Sequence, residues 1–444
     1  MVAVAVAATT LAASASVFGP IKALAFTPPT TAQVQAAIAA AIAYLRPLQQ
    51  VNGSWNSGSG FPVSETAFAL ISFGTFDGGN FSSLSPSDQT QVKKGVLYLL
   101  SQQDTVPTDQ AFGAFLDSFF INYPTGLSVA ALSLSIGADP ALPAAETNGR
   151  QALINLWQGP TGLNPGCTTV YPAPSSFYCG GWNYDFGASR SDESNTGFAM
   201  LGLQLSGGIP PQIAAVNPGW QHNVQEISTN PYAARNDGGG DYEPGITSGP
   251  FSSNANDTGS FLFGNGYDGV PSVDPGVTAA IKLGQDVLDV YELVKTNNDT
   301  QWLSGGVGVY HTAAVEDGSC DPNTTCTWGF NGDGGFHYSI WALTKGLGDY
   351  IPSNLADPNN WYAKVADLLV NSQLGNGSWT FDGRDDFSAI VATSFSVFAL
   401  GLTGVVPPSE IPEAGVWGTG GLIAVGAAVP VLVSLQRRRR RKAN

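Results

Sequence analysis

The sequence predicts an all-α fold made of six helical hairpins, each pairing an outer helix that keeps one wet face with an inner helix buried all round. The stretch Asn360–Gly404 shows the unit complete. Trp361, Val365, Leu368 and Leu369 recur at helical spacing behind an Asp357-Pro358 start, a Gly375–Gly383 turn stops that helix, and Ala389–Leu402 is apolar on nearly every side. The same string stands near the beginning: Tyr44-Leu45-x3-Gln49-x3-Gly53-x-Trp55 leading into Ser64–Leu70 matches Leu368-Leu369-x3-Gln373-x3-Gly377-x-Trp379 leading into Ala392–Leu400. Inner-helix starts then recur near Thr66, Leu127, Thr196, Thr258, Phe336 and Thr393, roughly every sixty to eighty residues.

Taken in order, Ala32–Leu48 is the first outer helix and Ser64–Phe73 the first inner one. The second outer helix opens at Ser85-Pro86-Ser87-Asp88, with cap, proline and acid in one turn, and runs to Gln103; its Gly-x-Trp is absent, and its inner helix is Thr125–Ile136. Hairpin three pairs Glu146–Trp157 with Asn195–Leu205 across a long loop holding Cys167, Cys179 and Gly180–Asp185. Hairpin four has Trp220, Val224 and Ile227, then a Gly/Asp loop, Asp237–Tyr242, and a short inner helix from Asp257. Hairpin five opens with Asp274-Pro275, carries Val277, Ile281, Leu288 and Tyr291 on one side, and reaches its inner helix at Phe336–Leu347. Within the repeated string, the Gln amide can bond orphan carbonyls at a helix end, Gly lets the chain turn, and Trp packs between hairpins.

On these residues the chain resembles the squalene/hopene cyclase and protein prenyltransferase superfamily, to whose glutamine-tryptophan repeat the string is similar. The resemblance implies an α/α toroid over residues 32–404, in which ring closure makes the two strongest copies, at opposite chain ends, neighbours. An open α-solenoid is the alternative, and the capping repeats it needs are not visible. The resemblance does not extend to the family's catalytic motifs. Hopene-type cyclases protonate with an Asp-x-Asp-Asp run; Asp382-Gly383-Arg384-Asp385-Asp386 is the nearest match and has the wrong spacing. Those cyclases also use a second helical domain. Prenyltransferases bind zinc through Asp, Cys and His; Tyr310-His311-Thr312 echoes the histidine motif, but no Asp-x-Cys precedes it. No metal and no cofactor are expected.

A formal net charge of −16 argues against a nucleic-acid partner, the more so because Arg437–Arg441 and Lys442 concentrate the basic residues at one end. Residues 1–25 read as a signal peptide ending Ala23-Leu24-Ala25, although no basic n-region precedes its apolar run; the alternative is an ordinary first helix. Residues 26–31 are a linker. At the other end, a linker over 405–415 containing Ile411–Gly415 precedes an apolar segment, 416–435, and a basic tail, 436–444, which predict a membrane helix with the tail inside and the body outside. The arrangement resembles bacterial sorting signals of the exosortase and sortase types, with Ala414 departing from both, and a plain tail anchor is the alternative. The expected location is therefore the cell surface. There, Cys167 with Cys179 and Cys320 with Cys326 read as two local disulfides; a tetra-cysteine zinc site is the rival, without a close Cys-x2-Cys spacing.

In such a barrel the inner-helix N-termini share one mouth, and Glu65, Asp192, Glu193, Asp257, Asp333, Asp385 and Asp386 all fall near those starts. One reading is a ring of carboxylates over an apolar cavity walled by Trp182, Tyr184, Tyr242, Trp328, Phe330, Trp379 and Phe381, in which burial makes one acid a proton donor. The candidates are Glu65, Glu193, Asp333, Asp385 and above all Asp386, with Arg384 holding Asp385 ionised. The other reading is that acids at helix starts simply cap amides and complement the dipole. Two function classes follow: a surface-displayed binding or scaffold toroid taking a lipid or glycan, or an enzyme of the terpene-cyclase or glycan-lyase kind. Oxygen-rich turns such as Asp237–Asp241 lack the spaced ligands of a calcium loop.

Overall fold

The computed structural model describes residues 26–117, 120–167, 178–187, 190–225, 239–244, 255–266, 275–296, 336–381 and 387–401. The leader and tail, Cys320, Cys326, His311, Trp328, Phe330, Asp333, Arg384, Asp385 and Asp386 lie outside these residues. The chain is all-α, with helices α1 (Thr31–Leu45), α2 (Pro62–Phe76), α3 (Pro86–Gln102), α4 (Asn122–Leu134), α5 (Leu142–Leu156), α6 (Glu193–Leu205), α7 (Pro211–Ala214), α8 (Asn217–Asn223), α9 (Ala255–Gly266), α10 (Pro275–Thr296), α11 (Phe336–Tyr350), α12 (Trp361–Ser372) and α13 (Ala389–Gly401). Among the described residues, extended pairing is confined to isolated bridges. No described helix is long and apolar enough to cross a membrane.

Six helices, α2, α4, α6, α9, α11 and α13, form the inner ring: each packs on the next, and α13 returns to α2. They run in parallel, since Gly74 near the end of α2 lies on Leu134 at the end of α4, Gly401 on Thr75, and Gly259 on Ala342. The outer helices α1, α3, α5, α8, α10 and α12 sit behind them. Connections from outer to inner helices, such as 46–61, 103–121 and 157–192, therefore gather at the inner N-termini, and they are longer than those at the opposite end, such as 77–85 and 135–141.

The repeated string explains the ring, with one change of role. Trp55 Nε1 donates to Leu45 O at 2.8 Å, Trp182 Nε1 to Leu153 O at 2.8 Å and Trp379 Nε1 to Leu369 O at 2.9 Å, so it is the indole that satisfies the last turn of its own outer helix. The Gln amide instead ties hairpin to hairpin. Gln49 Nε2 donates to Gly53 O and to Gln91 O of α3, Gln103 Nε2 to Gly113 O and to Ala145 O of α5, and Gln373 Nε2 to Gly377 O and to Ala37 O of α1. That last bond, at 2.8 Å, joins the last hairpin to the first and closes the ring. The turn glycines take positive φ and press on the same neighbouring helix three residues further on. A Cβ on Gly53, Gly113 or Gly377 would lie 2.3 Å from Lys94 O, Asn148 O or Ala40 O respectively.

A second recurring device pins each turn to its inner helix. Thr66, Thr125, Thr196, Thr258 and Thr393 accept through Oγ1 from the backbone N–H of Trp55, Phe115, Trp182, Gly240 and Trp379 at 2.9–3.4 Å. In hairpin three, Trp157 stands where the other repeats have Gln and donates through Nε1 to Gly180 O at 2.8 Å. Several boundaries differ from the sequence reading. The helix α5 begins at Leu142, aided by Pro143 in its first turn, and hairpin four has two short outer pieces, α7 and α8. The N-cap of α12 is Asn360, whose Oδ1 accepts from Tyr362 N at 3.0 Å, while Asp357 holds the preceding turn through Asn359 N. Ser85 does cap α3, accepting from Asp88 N.

Candidate functional site

Aromatic rings fill the axis of the inner ring. Phe68 of α2 meets Phe395 of α13 at 4.7 Å and Phe198 of α6 at 6.2 Å, and Trp341 of α11 meets Phe198 at 4.9 Å and Phe395 at 5.0 Å. The contacts of Phe198 with Phe68 and with Trp341 join helices that are not neighbours in the ring, so the rings meet across its centre. The space left among Phe68, Leu127, Leu201, Trp341, Phe395 and Phe398 is too narrow for a water molecule. At this level the expected open cavity is a packed core.

Above it, at the inner N-termini, the rings form a half-buried collar. Phe61 meets Phe120 at 5.6 Å and Phe387 at 5.1 Å, Phe120 meets Tyr184 at 5.2 Å, and Tyr123 meets Tyr184 at 5.6 Å. Polar tips line the same rim. The Tyr184 and Tyr242 hydroxyls bond each other, Tyr123 donates to Ser194 Oγ, and Arg190, which pairs with Glu243, lies 5.7 Å above the Tyr242 ring. Burial, and then Tyr184, push the Tyr123 phenol well above its ordinary value, so it stays a hydrogen-bond donor. The backbone carbonyls of Tyr184 and Tyr242 in turn accept from Asn122 N and Glu193 N, which seats both tyrosines on the starts of α4 and α6.

The acids expected at this mouth divide by their partners. Glu65 is buried and accepts from Ser57 N and Ser57 Oγ, a clamp on its own turn. Asp192 is the N-cap of α6 and accepts from Asn195 N at 2.8 Å, from both Asn195 Nδ2 bonds and from Ser194 Oγ. Burial lifts its carboxyl to about 6 against those bonds. Asp257 is buried in the first turn of α9, beside Asn256 Nδ2. Glu193 differs: it is fully buried, it caps no backbone amide, and burial holds its carboxyl well above the usual range against a hydrogen bond from the Gln221 amide and the charge on Lys345. Asp117 was not among the expected acids. It accepts from Val63 N at 2.9 Å and Ser64 N at 2.6 Å, capping the start of α2 from the neighbouring hairpin, and burial raises its carboxyl.

Of the expected cavity walls, Tyr184 and Tyr242 lie in the collar. Trp182 and Trp379 are buried between helices as described above, and Phe381 is exposed. The structure brings Glu193 together with Lys345, which the sequence reading passed over although a lysine inside an otherwise apolar inner helix is a visible signal. Among the described residues no cluster of three or more His, Cys, Asp or Glu could hold a metal. Cys167 and Cys179 form a disulfide with Cα atoms 5.6 Å apart.

No protein-family profile and no curated protein matches the sequence. The type II terpene cyclase MstE from Scytonema, in its apo form, is similar at 14% identity with a TM-score of 0.48, over 84% of this chain and 98% of the cyclase chain. The same cyclase in complex with merosterolic acid A is similar at 14% identity and a TM-score of 0.46, over 85% and 99% respectively.

Proposed function

We propose that the chain is a binding toroid, displayed at a cell surface, whose collar at the inner N-termini docks a glycan. The filled axis carries this reading: rings from α2, α6, α11 and α13 occupy the volume in which a long apolar chain would have to be enclosed. The collar supplies half-exposed aromatic faces beside phenols, an arginine and carboxylates, which suits sugar rings with apolar faces and hydroxyl rims. The cell-surface part rests on the apolar leader and on the 416–435 segment with its arginines.

Titration calorimetry of the purified protein with neutral oligosaccharides, acidic oligosaccharides and polyprenyl lipids tests the reading. Saturable binding of an oligosaccharide, weakened about tenfold by Tyr184→Ala with unchanged melting, is the expected result. Binding of the polyprenyl lipid alone would overturn it. A second reading, acid catalysis at the mouth, draws on Asp192, whose carboxyl sits near 6. Its oxygens, however, are already engaged by Asn195 and Ser194, as a helix cap requires. Asp192→Asn therefore separates the two: loss of a measured turnover with binding retained would favour the enzyme.

A further inference from the structure

The seam between α6 and α9 is polar where the rest of the inner ring is close-packed. Gly126 of α4 lies against the Phe198 backbone and Gly259 of α9 against the Ala342 backbone, so that a Cβ on either would strike main chain. Gly197 of α6 faces side-chain tips instead: a Cβ there would be 2.9 Å from Ser260 Oγ and 3.2 Å from Lys345 Nζ. Glu193 stands one turn before Gly197 on the same face, and Asn256 one turn before Ser260. Gln221 of α8 closes the end, within 2.3 Å of a Cβ placed on Gly264.

Glu193, Gln221, Asn256, Ser260 and Lys345 are each at most 5% exposed. Asn256 Oδ1, Ser260 Oγ and Lys345 Nζ lack hydrogen-bond partners, and the Glu193 carboxyl and Gln221 amide have only each other. Buried polar groups of this number, contributed by four helices, demand something between them. Lys345 Nζ lies 4.0 Å from the Trp341 ring centroid and 4.6 Å from that of Phe263, and it is burial that disfavours its charged form.

We propose that Glu193, Gln221, Asn256, Ser260 and Lys345 form an internal site for a small carbonyl compound, which Lys345 holds as an imine. This site is separate from the collar and independent of the glycan reading. The neutral amine adds to the carbonyl carbon, forming the C–N bond, while the carbonyl oxygen takes the Glu193 carboxyl proton and the nitrogen returns a proton to the carboxylate. The same carboxyl then protonates the carbinolamine hydroxyl, which leaves as water as the nitrogen lone pair forms C=N; the nitrogen's remaining proton passes back to Glu193. Amine and carbonyl give imine and water, with no oxidant or reductant. Gln221, Asn256 and Ser260 offer the polar contacts for the carbonyl's substituents. Burial sets the amine near 7, with Glu193 and Asp349 opposing, and Asp192 is the further acid coupled to Glu193, so the amine is available at neutral pH.

The test is reductive trapping of the intact protein with glyoxylate and cyanoborohydride at about pH 7.5, followed by peptide mapping. The adduct is expected at Lys345 in about tenfold excess over exposed Lys93, Lys94 and Lys282. Glu193→Gln should slow trapping about tenfold without loss of fold by circular dichroism. Gly197→Ala, whose Cβ would press on Ser260 Oγ and Lys345 Nζ while leaving Lys345 in place, should abolish it; Lys345→Met is the fold-preserving control. Adducts confined to the exposed lysines, or trapping at Lys345 only under unfolding conditions, would overturn the proposal.

Discussion

We predict that Lys345→Met stabilises the fold, by an amount that depends on pH in a set direction. Burial lowers the amine from 10.5 to about 7, against the pull of Glu193 and Asp349. That depression corresponds to roughly 5 kcal/mol of cost to the native state wherever the amine is charged both folded and unfolded, which is below pH 7. Between about pH 7 and 10.5 the unfolded chain holds a proton that the native chain does not, so stability rises with pH; above 10.5 both are neutral and the cost is gone. Methionine keeps the length of the side chain, and a sulfur–aromatic contact of about 0.3–1.5 kcal/mol replaces the cation–π contact to Trp341 and Phe263. Removing the cation also removes a group that holds the Glu193 carboxyl down, which offsets part of the gain. Urea unfolding should therefore show a gain of about 3–5 kcal/mol near pH 6, shrinking toward zero near pH 10. A loss of stability near pH 6, or a gain that does not change with pH, would refute the reasoning.

Ring closure and the far end of α2 give two more tests. Gly377→Ala forces a side chain into φ +91° and 2.3 Å from Ala40 O, whereas Gly58→Ala meets φ +88° with nothing within 4 Å. The second should cost about 1 kcal/mol and the first about 3 kcal/mol or more in urea unfolding; equal losses would deny Gly377 its role against α1. Asp77 ends α2 with its carboxyl lifted by burial to about 7, against hydrogen bonds from Gly79 N and Asn80 N. The stability it contributes is present below about pH 4 and is lost as pH rises through 7. Asp77→Asn keeps an acceptor oxygen for both N–H groups, so melting temperatures should match the parent at about pH 4 and exceed it at about pH 8; a variant that melts lower at both would show that the charged form is the stabilising one.

The ring was legible because its joints are written in residues that have few substitutes. A Gln with two amide protons, a Gly at positive φ and a Trp with a single N–H recur at fixed spacing, and each makes the same bonds in the first and last hairpins. What spacing could not show was the direction of those bonds: Gln and Trp both sit at a helix end, and only the neighbouring helix decides which carbonyl each one finds. The mouth was harder to read for a similar reason. Acids at helix starts look alike in sequence, yet Asp192 and Asp117 spend their oxygens on backbone amides, Glu65 spends both on Ser57, and Glu193 caps no backbone amide. Trp182 looked like a cavity wall because its loop leads to the mouth, but its N–H is drawn back to Leu153 O inside the hairpin.

The inner helices also account for why both proposed sites lie off the axis of the barrel. Parallel helices that must touch edge to edge need glycine or alanine at the contact, and Gly126, Gly202, Gly259 and Gly346 supply it by meeting backbone directly. That close approach leaves room at the centre only for flat rings, which is why Phe68, Phe198, Trp341 and Phe395 can pack face and edge across the axis and shut it. The two proposed sites are then displaced in two directions. Outward, the proposed glycan site lies at the collar, where long loops bring Tyr184 and Tyr242 over the helix starts. Sideways, the proposed imine site lies at the α6–α9 seam, where Gly197 meets not a backbone but the tips of Ser260 and Lys345.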